Sequence, residues 1–406
     1  MKRLVLILIL VLMQHTAHAQ YDSLYVHGGW RTFLTHLPPQ YQTEQNIYYP
    51  LILALHGGLG SAANLENQSL LSHKADTAAI PFIVVYPEGV PGPVGFGVRS
   101  WNAGICCGYA GDVQVDDVGF IATLIDTLVA RYSVNPQQIF ITGMSNGGMM
   151  TYRLAAELPH PIAAIAPVSS TMMLPGPWLP SQAIPIMHFH SYQDESIPFY
   201  GGYGDGFTSE IYKFPVDSVL TVWADLYGCD ARSDTLYHQA GEYLHKTWSH
   251  CNNNADVQLY VTYDGGHSWP GGNKGSAISD PVSNKISATN LIWEFFSQFV
   301  GTDPTSIREV NTKPKQFVLH QNFPNPFNQN TMIRYQLSVN TNINVSIFNA
   351  FEQLVRSFAI GNQNPGVYSI PWDGYDDAGN LAGSGVYLYR LECGTFFQTE
   401  KMLLLK

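Results

Sequence analysis

Residues 139–150, IFITGMSNGGMM, carry three apolar strand-forming residues into a glycine-bounded serine and out into a helix-forming segment. A chain that turns from a buried strand into a helix around Gly143, Ser145 and Gly147 must make a very tight corner. In the pattern G-x-S-x-G the corner strains the serine backbone and pushes its hydroxyl out beyond the sheet. Glycines at the flanking positions remove side chains that would collide across the corner. The helix then begins at the serine, and its free N–H groups and positive dipole end face any oxyanion formed there. An ordinary strand-to-helix turn fits the same twelve residues. The chemical reading therefore requires a base, an acid and oxyanion donors elsewhere in the chain.

The rest of the first three hundred residues supplies a scaffold for such a corner. Apolar strand runs are read at Tyr48–His56, Ile80–Tyr86, Ala163–Ser169, Ile184–His190 and Val257–Tyr263. Between them lie helical stretches. One is capped by Asp116 and Asp117, with apolar residues at Val118, Ile121, Leu124, Ile125 and Leu128. Others follow Ser145, cover Val216–Tyr227, and close the region at Lys285–Phe299. Strands alternating with helices, each strand apolar throughout, predict an α/β fold with a mostly parallel sheet covered on both faces. Beyond Val300 the pattern changes. Residues 302–316 read as a polar linker, and 317–406 as short alternating strands (TMIRYQL, NINVSIFN, GVYLYRLEC, KMLLLK) forming a small all-β, Ig-like sandwich.

In a parallel sheet the strand C-termini share one edge, which is where ligands bind. HSYQDESIPF follows one strand and YDGGHSWPGG follows another, so Asp194 and His267 leave the same edge as Ser145. The order Ser, Asp, His fits a nucleophile, the base that takes its proton and the carboxylate that fixes the base's tautomer. Glu195 and Asp205 are alternative acids, and Asp264 reads as a local hydrogen-bonding residue. The oxyanion donors are expected to be the Asn146 amide and one amide of HGGLG, either Gly58 or Leu59. His188 and His190 alternate on one strand without a third ligand at matched spacing, so they read as structural and no metal site is expected.

Net charge is −11 and no basic stripe is present, which makes nucleic acid and anionic membrane surfaces poor partners. Met1–Ala19 has the plan of a secretory leader: Lys2 and Arg3, an apolar run from Leu4 to Met13, and the small-x-small site Ala17-His18-Ala19. The run is short for a membrane span, and no second long apolar stretch follows. Export would place the five cysteines in an oxidising compartment. Cys229 and Cys251 flank a hairpin that a bridge would close, contributing about 3 kcal/mol. Adjacent Cys106 and Cys107 form a vicinal disulfide or remain reduced, and Cys393 reads as an unpaired core thiol.

The segments LHGGLGS, SWNAGICCG, VDDVGFI, TGMSNGGMMTYRLA and DGGHSWPGG, in that order, resemble the secreted esterase family of polyhydroxybutyrate depolymerases and feruloyl esterases. That family is related to the first carbohydrate-esterase family. The likeness covers roughly residues 30 to 300. It implies an α/β-hydrolase domain over residues 20–301 with neither metal nor organic cofactor. It carries the nucleophile onto Ser145, the acid onto Asp194 and the base onto His267, and it favours a Cys229–Cys251 bridge. One departure is visible: HFHSYQDESIPF stands where the family usually places a His-Gly pair before the aspartate turn. QNFPNPFNQNTMIRYQL, with the strands after it, resembles the sorting domain of the type IX secretion system over Phe317–Lys406. By that resemblance the export machinery becomes a partner and the destination is the outer surface or the medium. A retained sugar-binding or spacer sandwich is the alternative.

These readings converge on a serine carboxylic-ester hydrolase working through an acyl-enzyme. Its expected substrates are feruloyl or acetyl esters of plant polysaccharide, with a polyhydroxyalkanoate as the alternative. An inactive hydrolase fold acting as a binding protein, and acyl transfer to an alcohol other than water, are the competing classes. Trp101, Trp269, Trp178 and Tyr109 are candidates for the pocket wall, with core packing as the other reading of each. SWNAGICCGYAGD is rich in turn residues and is expected to border the site as a loop.

Overall fold

The computed structural model describes residues 20–43, 47–93, 98–174, 183–206, 209–229, 233–238, 241–276, 279–301, 317–319, 322, 327, 331–337, 339–364, 366–394 and 396–405. The expected leader (1–19), the linker (302–316), most of QNFPNPFNQN and Trp178 lie outside the described residues. The chain divides into two units, Met1–Gly301 and Thr302–Lys406.

The first unit opens with a hairpin, β1 (Gln20–Val26) and β2 (Gly29–His36), that the sequence reading did not anticipate. Next come β3 (Tyr49–Leu55), α1 (Ala62–Ser69), α2 (Leu71–Thr77), β4 (Ile83–Pro87) and the short pair β5 (Val90–Pro91) and β6 (Arg99–Ser100). Then follow α3 (Gly108–Asp112), α4 (Asp117–Arg131), β7 (Val134–Met144), α5 (Asn146–Glu157), β8 (Ala164–Val168) and β9 (Ile186–Ser191). The unit is completed by β10 (Gly202–Tyr203), β11 (Tyr212–Lys213), α6 (Val216–Leu226), β12 (Ser233–His238), β13 (Tyr243–Trp248), β14 (Val257–Thr262) and α7 (Ala288–Ser297).

Ten strands make one sheet in the order β1-β2-β4-β3-β7-β8-β9-β14-β13-β12. The central run from β4 to β14 is parallel, and antiparallel hairpins finish both ends. This is the α/β-hydrolase architecture. Strand β3, YPLILAL, shows why its apolar run is unbroken: every residue is buried because both sheet faces are covered. Leu51, Leu53 and Leu55 point into a core shared with Phe120, Ile121 and Leu124 of α4 and with Met149 and Met150 of α5. Ile52 and Ala54 point the other way, into a core shared with Leu65, Leu71, Trp293 and Phe296 of α1, α2 and α7.

One helix start and one helix cap differ from expectation. The last helix begins at Ala288 and not at Lys285, because the Ser287 hydroxyl accepts the Asn290 amide and sets the cap there. Only Asp116 caps α4, accepting the Gly119 N–H at 2.8 Å. Asp117 instead turns inward and is fully buried. Its carboxylate takes Arg31 at 2.7 Å on one oxygen and the Asn102 N–H at 2.8 Å on the other. Arg31 also donates to the Glu88 carbonyl and stacks 4.0 Å from the Phe120 ring. Burial pushes the Asp117 carboxyl up and the Arg31 guanidinium down, so each ion is held by the other. Asp117→Ala strands a buried guanidinium and is expected to cost about 3–5 kcal/mol. Replacing both partners with apolar residues should recover most of that loss. Urea unfolding of the single and double variants checks this, and a single variant as stable as the double would sink it.

The second unit contains β15 (Val318–Leu319), β16 (Thr331–Leu337), β17 (Thr341–Asn349), β18 (Leu354–Gln363), β19 (Gly366–Trp372), β20 (Gly385–Cys393) and β21 (Phe396–Leu404). They form two antiparallel sheets, β15-β16-β19 and β18-β17-β20-β21. Ile333, Tyr335, Leu337, Val345, Ile347, Tyr389, Leu391 and Met402 fill its core. Alternate residues point inward, as an all-β sandwich requires.

Cys229 is bonded to Cys251 around the β12–β13 hairpin, and Cys106 is bonded to Cys107. Cys393 is free and buried in the second unit.

Candidate active site

Ser145 stands between β7 and α5 with φ +55° and ψ −122°, a backbone region that L-residues rarely adopt. Its N–H is tied to the Val168 carbonyl at 3.0 Å. A Cβ on Gly143 would meet the Gly147 carbonyl, and one on Gly147 would run into the Leu55 and His56 carbonyls. Glycine is therefore required at both positions for β7, α5 and the end of β3 to approach one another. The close approach delivers the His56-Gly57-Gly58 segment to the serine: a Cβ on Gly57 would lie 3.3 Å from that of Ser145.

The His56-Gly57-Gly58 segment is held from several sides. The His56 ring donates through Nδ1 to the Gly57 carbonyl at 2.7 Å and accepts the Gly89 N–H on Nε2 at 3.0 Å. Burial pushes this imidazole down to about 4, which keeps Nε2 unprotonated as the acceptor role demands. The Trp101 indole donates to the His56 carbonyl at 2.9 Å. The Leu59 N–H donates to the Arg99 carbonyl at 2.8 Å. Of the two amides weighed from the sequence, Leu59 is therefore committed elsewhere. Gly58 lines the same cavity as Ser145 and Asn146. The Asn146 side chain grips the Trp101 backbone in both directions, accepting its N–H at 2.7 Å and donating to its carbonyl at 3.0 Å. That clamp fixes the SWNAGICCG loop against the first turn of α5.

Asp194 follows β9 and His267 follows β14, parallel neighbours that bring the two loops together. His267 Nδ1 bonds Asp194 Oδ2 at 2.9 Å, and Asp194 Oδ1 accepts the Ile197 N–H at 2.8 Å. The His267 N–H is held by Asp280 at 2.6 Å. Burial alone would raise the Asp194 carboxyl, but the charge and hydrogen bond of His267 outweigh it and hold the carboxyl below its usual value. Burial alone would lower His267, but the Asp194 carboxylate outweighs it and holds the imidazole above 6.5. Ser145, Asn146, Gly58 and His267 share a cavity of about 140 Å³ with Cys107, Met149, Ser196, Ile197 and Asp205. A base must be neutral to accept a proton. The acid limb of kcat/KM is therefore expected to bend above pH 6.5, with activity falling as pH drops through that point. Initial rates between pH 4 and 9 on a soluble ester would show it, and an inflection below 6.5 would exclude His267 as the titrating group.

The alternative acids are placed elsewhere. Glu195 is exposed. Asp205 lines the cavity and accepts the Ser196 hydroxyl at 2.9 Å. Asp264 accepts the Ser283 hydroxyl at 2.6 Å. Trp101 and Trp269 are sealed in the interior, with indole N–H groups on the His56 carbonyl and on Thr289, and neither faces the cavity. Packing, not substrate contact, is their role in this structure. Tyr109 is partly exposed on α3 and is not a wall of the cavity.

Behind Asp194 lies a buried relay through His188 and His190, which the sequence reads as structural without showing their partners. His190 Nε2 lies 2.8 Å from the Ile197 carbonyl, so it must carry the proton and Nδ1 must accept. His188 Nε2, 3.2 Å from that Nδ1, then donates, and its own Nδ1 accepts the Tyr152 hydroxyl at 2.8 Å. Both rings are pushed down by burial and stay neutral, as this single consistent set of tautomers needs. His190 Nε2 also lies 3.7 Å from Asp194 Oδ2, a proximity and not a hydrogen bond, because its proton is given to the Ile197 carbonyl. Only the three-dimensional packing of β9 against α5 reveals the relay. No cluster of three or more metal-ligating side chains exists among the described residues.

The Phospholipase/Carboxylesterase family profile matches residues 49–205, which contain the His56-Gly57-Gly58 segment, Ser145 and Asp194. The FlgD Ig-like domain profile matches residues 328–394. Over 257 residues the chain is 26% identical to Feruloyl esterase B of Piromyces equi, covering 62% of this chain and 42% of that protein. Over 239 residues it is 30% identical to the putative esterase NocK of Nocardia uniformis subsp. tsuyamanensis, covering 55% and 66%. Over 262 residues it is 24% identical to the bifunctional acetylxylan esterase/xylanase XynS20E of Neocallimastix patriciarum, covering 63% and 32%. The chain thus spans between about a third and two thirds of the length of these relatives.

Proposed function

We propose that the chain is a serine carboxylic-ester hydrolase acting on acyl esters of plant polysaccharide. The observation that carries the reading is the meeting of a strained serine with a carboxylate-paired histidine in one cavity. In this reading Ser145 Oγ attacks the ester carbonyl while His267 Nε2 takes its proton. Asp194 fixes Nδ1–H and stabilises the imidazolium. The Asn146 and Gly58 amides receive the negative charge that develops on the carbonyl oxygen. His267 returns its proton to the departing alcohol, and a water it then activates releases the acid. The cavity of about 140 Å³ favours a short acyl group such as acetyl. The names of the relatives, feruloyl and acetylxylan esterases, point to the same polysaccharide setting. Export through the leader at 1–19, with the β-sandwich unit as a type IX sorting domain, belongs to the same proposal.

The test is a comparison of initial rates for the full chain on an acetylated xylo-oligosaccharide, methyl ferulate and a soluble 3-hydroxybutyrate oligomer, with Ser145→Ala as control. Ser145-dependent rates dominated by either of the first two support the proposal. Dominant oligomer hydrolysis replaces the substrate class with a polyester. No turnover of any ester leaves a binding protein on a hydrolase fold.

A further inference from the structure

A second cavity of about 380 Å³ lies on the first unit, lined by Tyr192, Phe199, Tyr200, Asp217, Ser218 and Lys246 among others. Its volume falls in the range of about 300–1,000 Å³ usual for small-molecule sites. Nothing in the proposed chemistry uses it. We propose that it is a carbohydrate subsite that holds the glycan on the alcohol side of the ester. This rests on the esterase reading for the identity of its ligand.

Three observations support the assignment. The first is the aromatic platform. Tyr200 is 76% exposed, yet its ring is held at 5.8 Å and 24° from Tyr192 and edge-on to Phe199 at 5.1 Å. With Tyr263, 5.0 Å from Tyr192 and also exposed, these rings form a contiguous exposed aromatic patch, the kind of surface that marks a binding site. The second is the polar lining. Lys246 Nζ is bonded to Asp217 Oδ1 at 2.7 Å. The pair neutralises itself, so a charged ligand gains no net attraction from it. A wholly apolar ligand would strip water from both ions without replacing its hydrogen bonds, at a cost. A pyranose matches both parts of the lining. Its C–H face lies on an aromatic ring, and its hydroxyls donate to a carboxylate and accept from an ammonium.

The third is position. One stretch of chain, residues 192–200, walls both cavities: Ser196 and Ile197 face the catalytic one, and Tyr192, Phe199 and Tyr200 face the second. Ile197 and Phe199 are two residues apart, so their Cα atoms are at most about 7.6 Å from each other. The same stretch carries Asp194. A sugar in the second cavity is therefore held by the segment that also carries Asp194, beside the catalytic cavity.

The experiment is calorimetric titration of the full chain with an unesterified xylo-oligosaccharide, which has no scissile ester and so reads binding alone. Saturable binding is expected, weakened about tenfold or more by Tyr200→Ala and kept within about twofold by Tyr200→Phe, which preserves the ring. Tyr200 is exposed, so its truncation leaves the core intact. No binding to the wild-type chain, or binding that Tyr200→Ala leaves unchanged, overturns the subsite. The esterase reading is scored separately, on methyl ferulate and a 4-nitrophenyl ester that carry no sugar. Sugar binding at Tyr200 without turnover of any ester would retire the esterase and keep the subsite.

Discussion

Replacing Ser145 with alanine is expected to lower kcat on every ester substrate about 10⁶-fold while leaving the fold intact, because triad members act as a unit. Alanine keeps the Cβ, and with it the same backbone at φ +55° that the neighbouring glycines accommodate. What disappears is a single oxygen. Residual catalysis of about 10³–10⁴ over water should remain, supplied by the oxyanion donors and by substrate positioning. The measurement pairs single-turnover kinetics with a thermal unfolding scan. A fall in activity accompanied by a matching fall in stability would mean that the change damaged the scaffold and not the chemistry. An unchanged rate would remove Ser145 from the mechanism.

The second large effect is expected from Asp194→Asn, about 10⁴-fold in kcat. An amide oxygen can still accept the Ile197 N–H, so the turn after β9 is preserved. The other oxygen, now an NH₂, would face His267 Nδ1 at the present 2.9 Å contact. Two donors cannot share that contact, so the imidazole would move its proton to Nε2, the nitrogen that must accept from Ser145. Loss of the carboxylate also removes the influence that holds the imidazole above 6.5. The acid limb of the pH profile should therefore move to lower pH in the variant as the maximum rate falls. A variant whose rate drops with no movement of the limb would show that Asp194 does not face the titrating base.

The parts of the site that were legible in the sequence depend on backbone geometry. A glycine pair around one serine can be read because few side chains fit that corner, and the ends of parallel strands can be matched because they share an edge. Asp194 and His267 were reachable in this way, from strands that later paired side by side. What could not be read depends on which face of an element a side chain takes. Trp101 and Trp269 look like pocket residues in a glycine-rich loop, but each indole finds a buried acceptor and turns inward. Asp117 looks like a second cap, but Arg31, distant in sequence, draws it into the core. The N-terminal hairpin is not legible because its alternation is weak: in β1 only Val26 is buried, and in β2 burial runs unbroken over the last four residues. The His188–His190 relay needed the position of Tyr152, which is fixed by packing between α5 and β9.

The glycine contacts at the serine corner bear on how the protein would lose activity under stress. Gly147 lies against the carbonyls of Leu55 and His56, and β3 and β7 are neighbours in the middle of the sheet. A nucleophile on a peripheral loop can be disordered by a local opening that leaves the rest of the domain native. Here the serine stands at the end of a central strand packed against its neighbour, so disordering it is expected to require an opening in the middle of the sheet, whose free energy lies toward that of global unfolding. Activity lost after a heat pulse ahead of the slowest-exchanging amides would then place the first opening in the loops that carry Asp194 and His267, and not at the serine corner.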